Sequence, residues 1–397
     1  MRIESIRLKN FKAFRDVHLR DIPAFFVVVG ANGSGKSTLF DVFGFLHDCL
    51  TGNVRQALDK RGRFREVLSR DCDPSKDKIL IELKYRMEIT GVERLVTYSL
   101  EIAEEAGVPV VEREVLRYKR GRYGSPFHFL DFSKGSGYAI TNEENFKLLN
   151  EQLEDEKQQL SPDMLAIKGV GQFERFKAAS AFRRLIENWH VSDFHINAAR
   201  GRKEPSGDIE HLSESGDNLP LVARHFHEQH PTVFQKILST MALRVPGISS
   251  VEPLLLDDGY LTLRFKDGTF KTPFLDRYVS DGTIKMFAYL TLLHDPKPHP
   301  LLCVEEPENQ LYPHLMEELA EEFRAYAKRG GQVFVSTHSP EFLNAMELDE
   351  VCWLVKLGGK TELHRAKDNT QVVAYMADGD KLGNLWTQGF FDGVDPR

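Results

Sequence analysis

The sequence predicts an α/β fold built on a phosphate-binding loop, with an antiparallel β layer and a largely helical lobe beside it. Three observations predict it. An apolar run feeds a glycine-rich loop and then a helix, two later apolar runs end in carboxylates and in a histidine, and alternating β segments lie between them. Continuous short apolar runs read as buried parallel strands, whose C-terminal ends are where open α/β sheets keep their sites. Alternation reads as an antiparallel layer with one face on the core.

Taken in order, residues 2–8 alternate, with Ile3, Ile6 and Leu8 apolar, and read as an edge strand whose return is Val17-His18-Leu19. Residues 24–29 are a continuous apolar run. Gly30-Ala31-Asn32-Gly33-Ser34-Gly35-Lys36-Ser37 follows and matches the pattern G-x-x-x-x-G-K-[ST]. Residues 38–46 then read as a helix with Leu39, Phe43 and Leu46 on one face. Strand, glycine-rich turn and helix is the arrangement that phosphate binding requires. Gly30, Gly33 and Gly35 let backbone N–H groups curl around phosphate oxygens, Asn32, Ser34 and Thr38 complete the cradle, and the helix N-terminus adds positive potential. Lys36 is placed to reach the β- and γ-phosphates of a nucleotide, and the Ser37 hydroxyl to ligate Mg²⁺.

The middle of the chain is mixed. Residues 53–71 are basic (Arg55, Lys60, Arg61, Arg63, Arg65, Arg70), with Phe64, Val67 and Leu68 interleaved. They read either as an amphipathic helix with a solvated face or as a contact surface for nucleic-acid phosphates. Residues 79–85 and 95–100 form a hairpin through Thr90-Gly91, and 108–118 and 127–130 continue the layer. A second basic cluster there, Arg113, Arg117, Lys119, Arg120 and Arg122, reads as edge decoration or as a further nucleic-acid contact. Residues 142–159 are rich in Glu, Gln and Lys and read as a helix without sustained heptads, so no long coiled-coil arm is expected. An amphipathic helix over 173–189, a short strand over 191–196, a polar loop over 197–218 and a helix over 219–243 follow. His225, His227 and His230 do not share one helical face, which argues against a metal site there. Residues 251–270 supply another hairpin, with turns at Asp258-Gly259 and Asp267-Gly268.

Three more motifs close the chain. Val279-Ser280-Asp281-Gly282-Thr283 leads into a helix over 284–293, where Ser280 and Gly282 can cap that helix or face a phosphate. Residues 301–304 are a buried strand ending in Glu305-Glu306-Pro307-Glu308-Asn309. Neighbouring acids repel unless a cation joins them, so Glu305 is assigned to Mg²⁺, through water, and Glu306 to general-base activation of the attacking water. Gln332-Val333-Phe334-Val335-Ser336 is again a buried strand, and His338 beyond it is placed to hold water and Glu306 in register at the γ-phosphate.

Asn10-Phe11-Lys12 ahead of the loop, the phosphate loop itself, the Val-Ser-Asp-Gly motif, the Glu-Glu-Pro-Glu-Asn turn and His338 together resemble the ABC-type ATPase heads of the RecF/SMC/OLD group. The tail Leu382-Gly383-Asn384-Leu385-Trp386-Thr387-Gln388-Gly389 is similar to that of standalone AAA-family ATPases of this group, which lack a TOPRIM nuclease domain. The likeness covers roughly residues 1–70 and 275–397, and the middle only loosely. It departs from the pattern at Val279, where Leu is usual, and at Glu305, where Asp is usual. Gln56 and Gln172 are the candidates for the family's Q-loop glutamine, and neither is placed.

The resemblance implies an ATP- and Mg²⁺-dependent ATPase working as a homodimer or higher oligomer. Ser280 and Gly282 of one head would close on nucleotide held by Lys36 and Ser37 of the other. It also implies a head divided over residues 1–103 and 275–397, with an inserted β and helical lobe over 104–274. The partners it leaves open are DNA, in maintenance or anti-phage defence, and a separate effector such as a TOPRIM-type nuclease held by a scaffold that turns over little.

Bulk properties bound this reading. A net charge of −7 and a pI near 6.1 argue against coating nucleic acid by bulk charge, while leaving a local basic groove open. No apolar run approaches the roughly 18 residues of a membrane span. Cys49, Cys72, Cys303 and Cys352 are scattered, with no C-x-x-C, and a reducing cytoplasm is expected.

Overall fold

The computed structural model describes residues 2–119, 124–141, 154–194, 196–204 and 209–394. The chain forms two compact units. The first comprises residues 1–189, 347–379 and 385–397, and the second residues 190–346 and 380–384. Strands are numbered along the chain.

In the first unit β1 (Arg2–Phe11), β2 (Phe14–Arg20), β4 (Ile79–Ile89), β5 (Val92–Glu105), β6 (Val108–Tyr118), β7 (Phe127–Ser133), β8 (Ser136–Ile140) and β9 (Asp155–Gln159) make one antiparallel sheet in the order β2-β1-β4-β5-β6-β7-β8-β9. β4 shows why. Ile79, Ile81, Leu83, Tyr85, Met87 and Ile89 are buried, while the residues between them face outward. The hairpin from β4 to β5 turns at Thr90 (φ 51°) and Gly91 (φ 75°), the two positive φ values a tight two-residue turn demands. The helix Lys177–Glu187 covers the inner face, stacking Phe182 on Tyr85 at 4.5 Å and against Tyr98 at 4.5 Å. Beneath it lies a buried acid. Glu114 accepts hydrogen bonds from Tyr98 Oη (3.1 Å), Ile167 N (3.1 Å) and Ala166 N, and burial pushes its carboxyl up to about 7. The same unit holds β3 (Phe25–Gly30), buried throughout and parallel to β16 (Val351–Leu357), which pairs antiparallel with β17 (Lys360–Arg365).

The second unit contains the end of β10 (Trp189–Ser192), a small antiparallel sheet of β11 (Ile248–Leu255), β12 (Leu261–Asp267) and β13 (Phe274–Leu275), and the parallel pair β14 (Leu301–Glu305) and β15 (Gln332–Ser336). Its helices include Leu219–Gln229, Pro231–Arg244, Asp281–Leu293 and Met316–Lys328. The Asp258-Gly259 turn joins β11 to β12 as expected.

Several expectations are corrected. The strand expected at an edge, β1, lies inside the sheet, paired by β2 on one side and β4 on the other. Of the helix expected over 142–159, residues 142–153 lie outside the described ones, and Asp155–Gln159 is a strand because β8 supplies its ladder. The helix over 219–243 is two helices, since Pro231 has no N–H to continue the first and opens the second. The strand expected over 191–196 is Trp189–Ser192. Arg120 and Arg122 also lie outside the described residues. All four cysteines are free thiols, and among the described residues no helix is long and apolar enough to cross a membrane.

Candidate functional site

The phosphate-loop half lies in the first unit. β3 delivers the chain to Gly30, where a side chain is excluded: a Cβ there would sit 2.5 Å from Ser34 Oγ and 2.8 Å from the Leu354 carbonyl. Gly33 (φ 77°) and Gly35 (φ 110°) take the left-handed conformation that reverses the loop, and Gly35 caps the helix Lys36–Thr51. The Lys36 side chain is buried and donates from Nζ to the carbonyls of Gly30 (2.8 Å) and Ala31 (3.3 Å). Asn32, Gly33 and Ser37 are exposed, Thr38 half-buried and Ser34 buried. Thr361, in the β16–β17 hairpin, donates its hydroxyl to the Ser34 carbonyl at 2.7 Å and its N–H to Ala13. The loop is thus clamped from outside its own motif.

The acidic half lies in the second unit. β14 and β15 run parallel with Glu305 opposite Ser336, so the Glu-Glu turn leaves the sheet at the C-terminal ends of the strands. Glu306 adopts φ 45°, unusual for a residue with a side chain, and its N–H donates to the Ser336 carbonyl at 2.9 Å. That conformation brings Glu306 Oε1 to 3.3 Å from His338 Nε2, while Asn309 Nδ2 donates to Oε2 at 3.0 Å. Glu308 accepts from the Thr337 hydroxyl (2.9 Å) and from the His338 N–H (2.5 Å), tying the acidic turn to the loop after β15. Lys285 donates to the Asn309 carbonyl at 2.7 Å; burial pushes its ammonium down to about 8, with Glu308 and Glu306 opposing.

Ser280 caps the helix Asp281–Leu293, its Oγ accepting from Thr283 N at 3.3 Å. Gly282 packs against the acidic turn, where a Cβ would meet the Gln310 carbonyl at 2.7 Å. The helix Asp281–Leu293 is therefore fitted to the Glu-Glu turn within the chain. Arg200, from the polar loop, donates to the Val279 carbonyl at 2.7 Å and pairs with Asp281.

Part of each basic cluster is committed to ion pairs. Arg61 is held by Asp41 and Asp48 at 2.7 Å each, Lys60 by Asp48, and Arg70 by Glu66. Arg113 pairs with Asp131 and Arg117 with Glu82. Arg55 and Arg65 are exposed.

The sequence pattern of the AAA_21 family, described as "AAA domain, putative AbiEii toxin, Type IV TA system", matches residues 25–344, from the start of β3 to beyond His338. The chain belongs to this AAA-domain family. The phosphate loop and the acidic turn both fall inside the match. No curated protein is matched by the sequence. Among solved structures, an SMC head bound to the C-terminal winged-helix domain of ScpA superposes with a TM-score of 0.55 at 16% identity, over 92% of this chain and 97% of that one. An SMC head with an extended coiled coil, bound to the C-terminal domain of ScpA from Pyrococcus furiosus, gives 0.52 at 15% identity, over 94% and 99%. The fold of this AAA-domain chain is that of an SMC-type ATPase head, as the sequence resemblance implied.

Sequence reasoning assigned no role to Glu308, Asn309, Lys285 or Thr361. Glu308 stands inside the quoted acidic motif, and its spacing from Glu306 was the available signal. Lys285 and Thr361 carry none, because each reaches its place through tertiary packing.

Proposed function

We propose that this AAA-domain chain binds ATP with Mg²⁺ and hydrolyses it. The reading rests above all on the acidic turn, where Glu306 is anchored by the β15 main chain and faces His338 at 3.3 Å. Gly30, Asn32, Gly33, Ser34, Gly35 and Thr38 would cradle the phosphates and Lys36 would neutralise the β- and γ-oxygens. Glu306 would take the proton of the attacking water, with His338 orienting both. The donor set suits a hard cation: the Ser37 hydroxyl and Glu305 would hold Mg²⁺, which would supply charge neutralisation at the transferring phosphoryl group.

Head dimerisation completes the proposal. Ser280 and Gly282 of one copy would close on nucleotide held by Lys36 and Ser37 of another, so that hydrolysis reopens what binding closed. The cycle would act on DNA or on a separate effector, such as a TOPRIM-type nuclease, in DNA maintenance or anti-phage defence. A low-turnover scaffold holding such an effector is the second reading. What favours it is that Arg61, Arg70, Arg113 and Arg117 already sit in ion pairs, which leaves fewer cations for phosphates.

The test is steady-state ATP turnover and nucleotide binding, with and without linear duplex DNA. Lys36→Ala should lose binding. Glu306→Gln should bind ATP, lose turnover by about 100-fold or more and accumulate dimer. Wild-type turnover by Glu306→Gln would remove it as base, and turnover indifferent to DNA would move the reading to a protein partner.

A further inference from the structure

We propose that the second unit carries a site for a divalent transition metal of the zinc class, built from His211, Asp295 and His299. The ligating atoms of these three side chains all lie within 4.8 Å of one another. None belongs to the acidic turn or to the phosphate loop. They come from two segments far apart in sequence, the polar stretch around residue 211 and the connection between the helix Asp281–Leu293 and β14.

That connection is built for rigidity. It reads Asp295-Pro296-Lys297-Pro298-His299-Pro300, and alternate prolines fix φ along it. Asp295 is buried at 2% exposure, with Oδ1 accepting from Lys297 N (2.8 Å) and Oδ2 engaged with His211 Nδ1 (2.7 Å). Arg329 donates to the Asp295 carbonyl at 3.1 Å, His299 N donates to Tyr326 Oη at 2.7 Å, and Lys297 bridges to Glu210 at 2.7 Å. The Asp295 carboxylate is thus oriented by the Lys297 N–H, and the main chain of the connection is held from outside by Arg329 and Tyr326.

A bond between His211 and Asp295 would by itself be an ordinary buried pair. Two further imidazoles change that. The His299 ring lies 5.0 Å from His211, and His190, 3% exposed, stacks on His299 at 4.8 Å. Nε2 of His190 is buried and has no hydrogen-bond partner among the described residues. Two imidazoles beside one buried carboxylate, with a third stacked behind them, are mutually unfavourable when protonated, whereas a cation bound by His211, Asp295 and His299 is favoured by that arrangement. Two histidines and one carboxylate, with a further position for water, is a donor set that zinc accepts in tetrahedral geometry. Ligating atoms about 2.0–2.2 Å from zinc stand roughly 3.3–3.6 Å apart, so modest rotations that open the 2.7 Å His211–Asp295 pair and draw in His299 would seat the ion. His211 is half-exposed, which gives the ion a way in. Bound there, the ion would fasten the polar stretch to the root of β14, at the end of the strand opposite Glu305.

The experiment uses the full untagged chain, stripped with chelator and then dialysed against Co²⁺ as a spectroscopic probe. The expected result is one Co²⁺ per chain with visible ligand-field absorption that Zn²⁺ abolishes. His211→Gln and Asp295→Asn should each weaken binding at least tenfold. His47→Ala, in the first unit, should leave it unchanged. Folding of each variant is checked by circular dichroism, and His211→Gln, at the half-exposed ligand, keeps the test open if Asp295→Asn unfolds. Failure to take up stoichiometric Co²⁺, or equal uptake by His211→Gln and wild type, would overturn the site.

Discussion

In the unit that carries the phosphate loop, the buried charges of Lys36 and Glu114 rest mainly on the main chain, whereas in the unit that carries the acidic turn the side chains of Glu306, Glu308, Thr337 and His338 rest largely on one another. Lys36 is held by the carbonyls of Gly30 and Ala31, and Glu114 by the N–H groups of Ala166 and Ile167. Glu306 faces His338, Glu308 gathers Thr337 and His338, and Lys285 stands close enough to both acids to feel them. Main-chain partners cannot be mutated away and titrate nowhere. Side-chain partners can do both, so substitution at the acidic turn should act on chemistry, while burial of Glu114 in the first unit should tie stability to pH.

The largest expected effect tests the stability side of that contrast. Burial pushes the Glu114 carboxyl from its ordinary value near 4.5 up to about 7 in the fold. Below 4.5 both states are protonated and the group contributes no difference. Between 4.5 and 7 the unfolded chain ionises first, so stability falls as pH rises, by as much as about 3 kcal/mol. Glu114→Gln should flatten that pH dependence in denaturant melts. An unchanged slope would mean that Glu114 is ionised in the fold.

Glu308→Ala tests the chemical side. It removes the acceptor shared by Thr337 and His338, and ATP turnover should fall about 10- to 100-fold with nucleotide affinity nearly kept. Equal loss of both would show that the turn collapses and not that His338 merely shifts. Gly282→Ala forces a methyl to within 2.7 Å of the Gln310 carbonyl and should destabilise by about 1–3 kcal/mol, read as a lower melting temperature. Thr361→Val is the mildest. It removes the clamp on Ser34, and should cost about 1 kcal/mol of stability with a few-fold weaker nucleotide binding in equilibrium titration.

What could be read from sequence was what is encoded locally. The Gly30–Ser37 loop, its flanking strand and helix, the acidic turn and the strand before His338 are each set by a short run of residues whose conformation follows from their own chemistry. What escaped was long-range pairing. Whether β1 is edge or interior depends on β4, more than sixty residues on. Asp155–Gln159 has a helix-former composition and is a strand because β8 is there to receive it. His211 and Asp295 stand 84 positions apart and meet only in the fold, so no spacing rule reveals them.

Glu306 pays for its place with its backbone. At φ 45° it occupies a region where glycine would be at ease and a long side chain is not. Selection for thermal tolerance alone would press this position toward glycine, and, on the proposed function, selection for ATP turnover would press it back. Any library sorted only for folding should therefore enrich loss of function here, so a tally of tolerated substitutions would misreport what the residue is for.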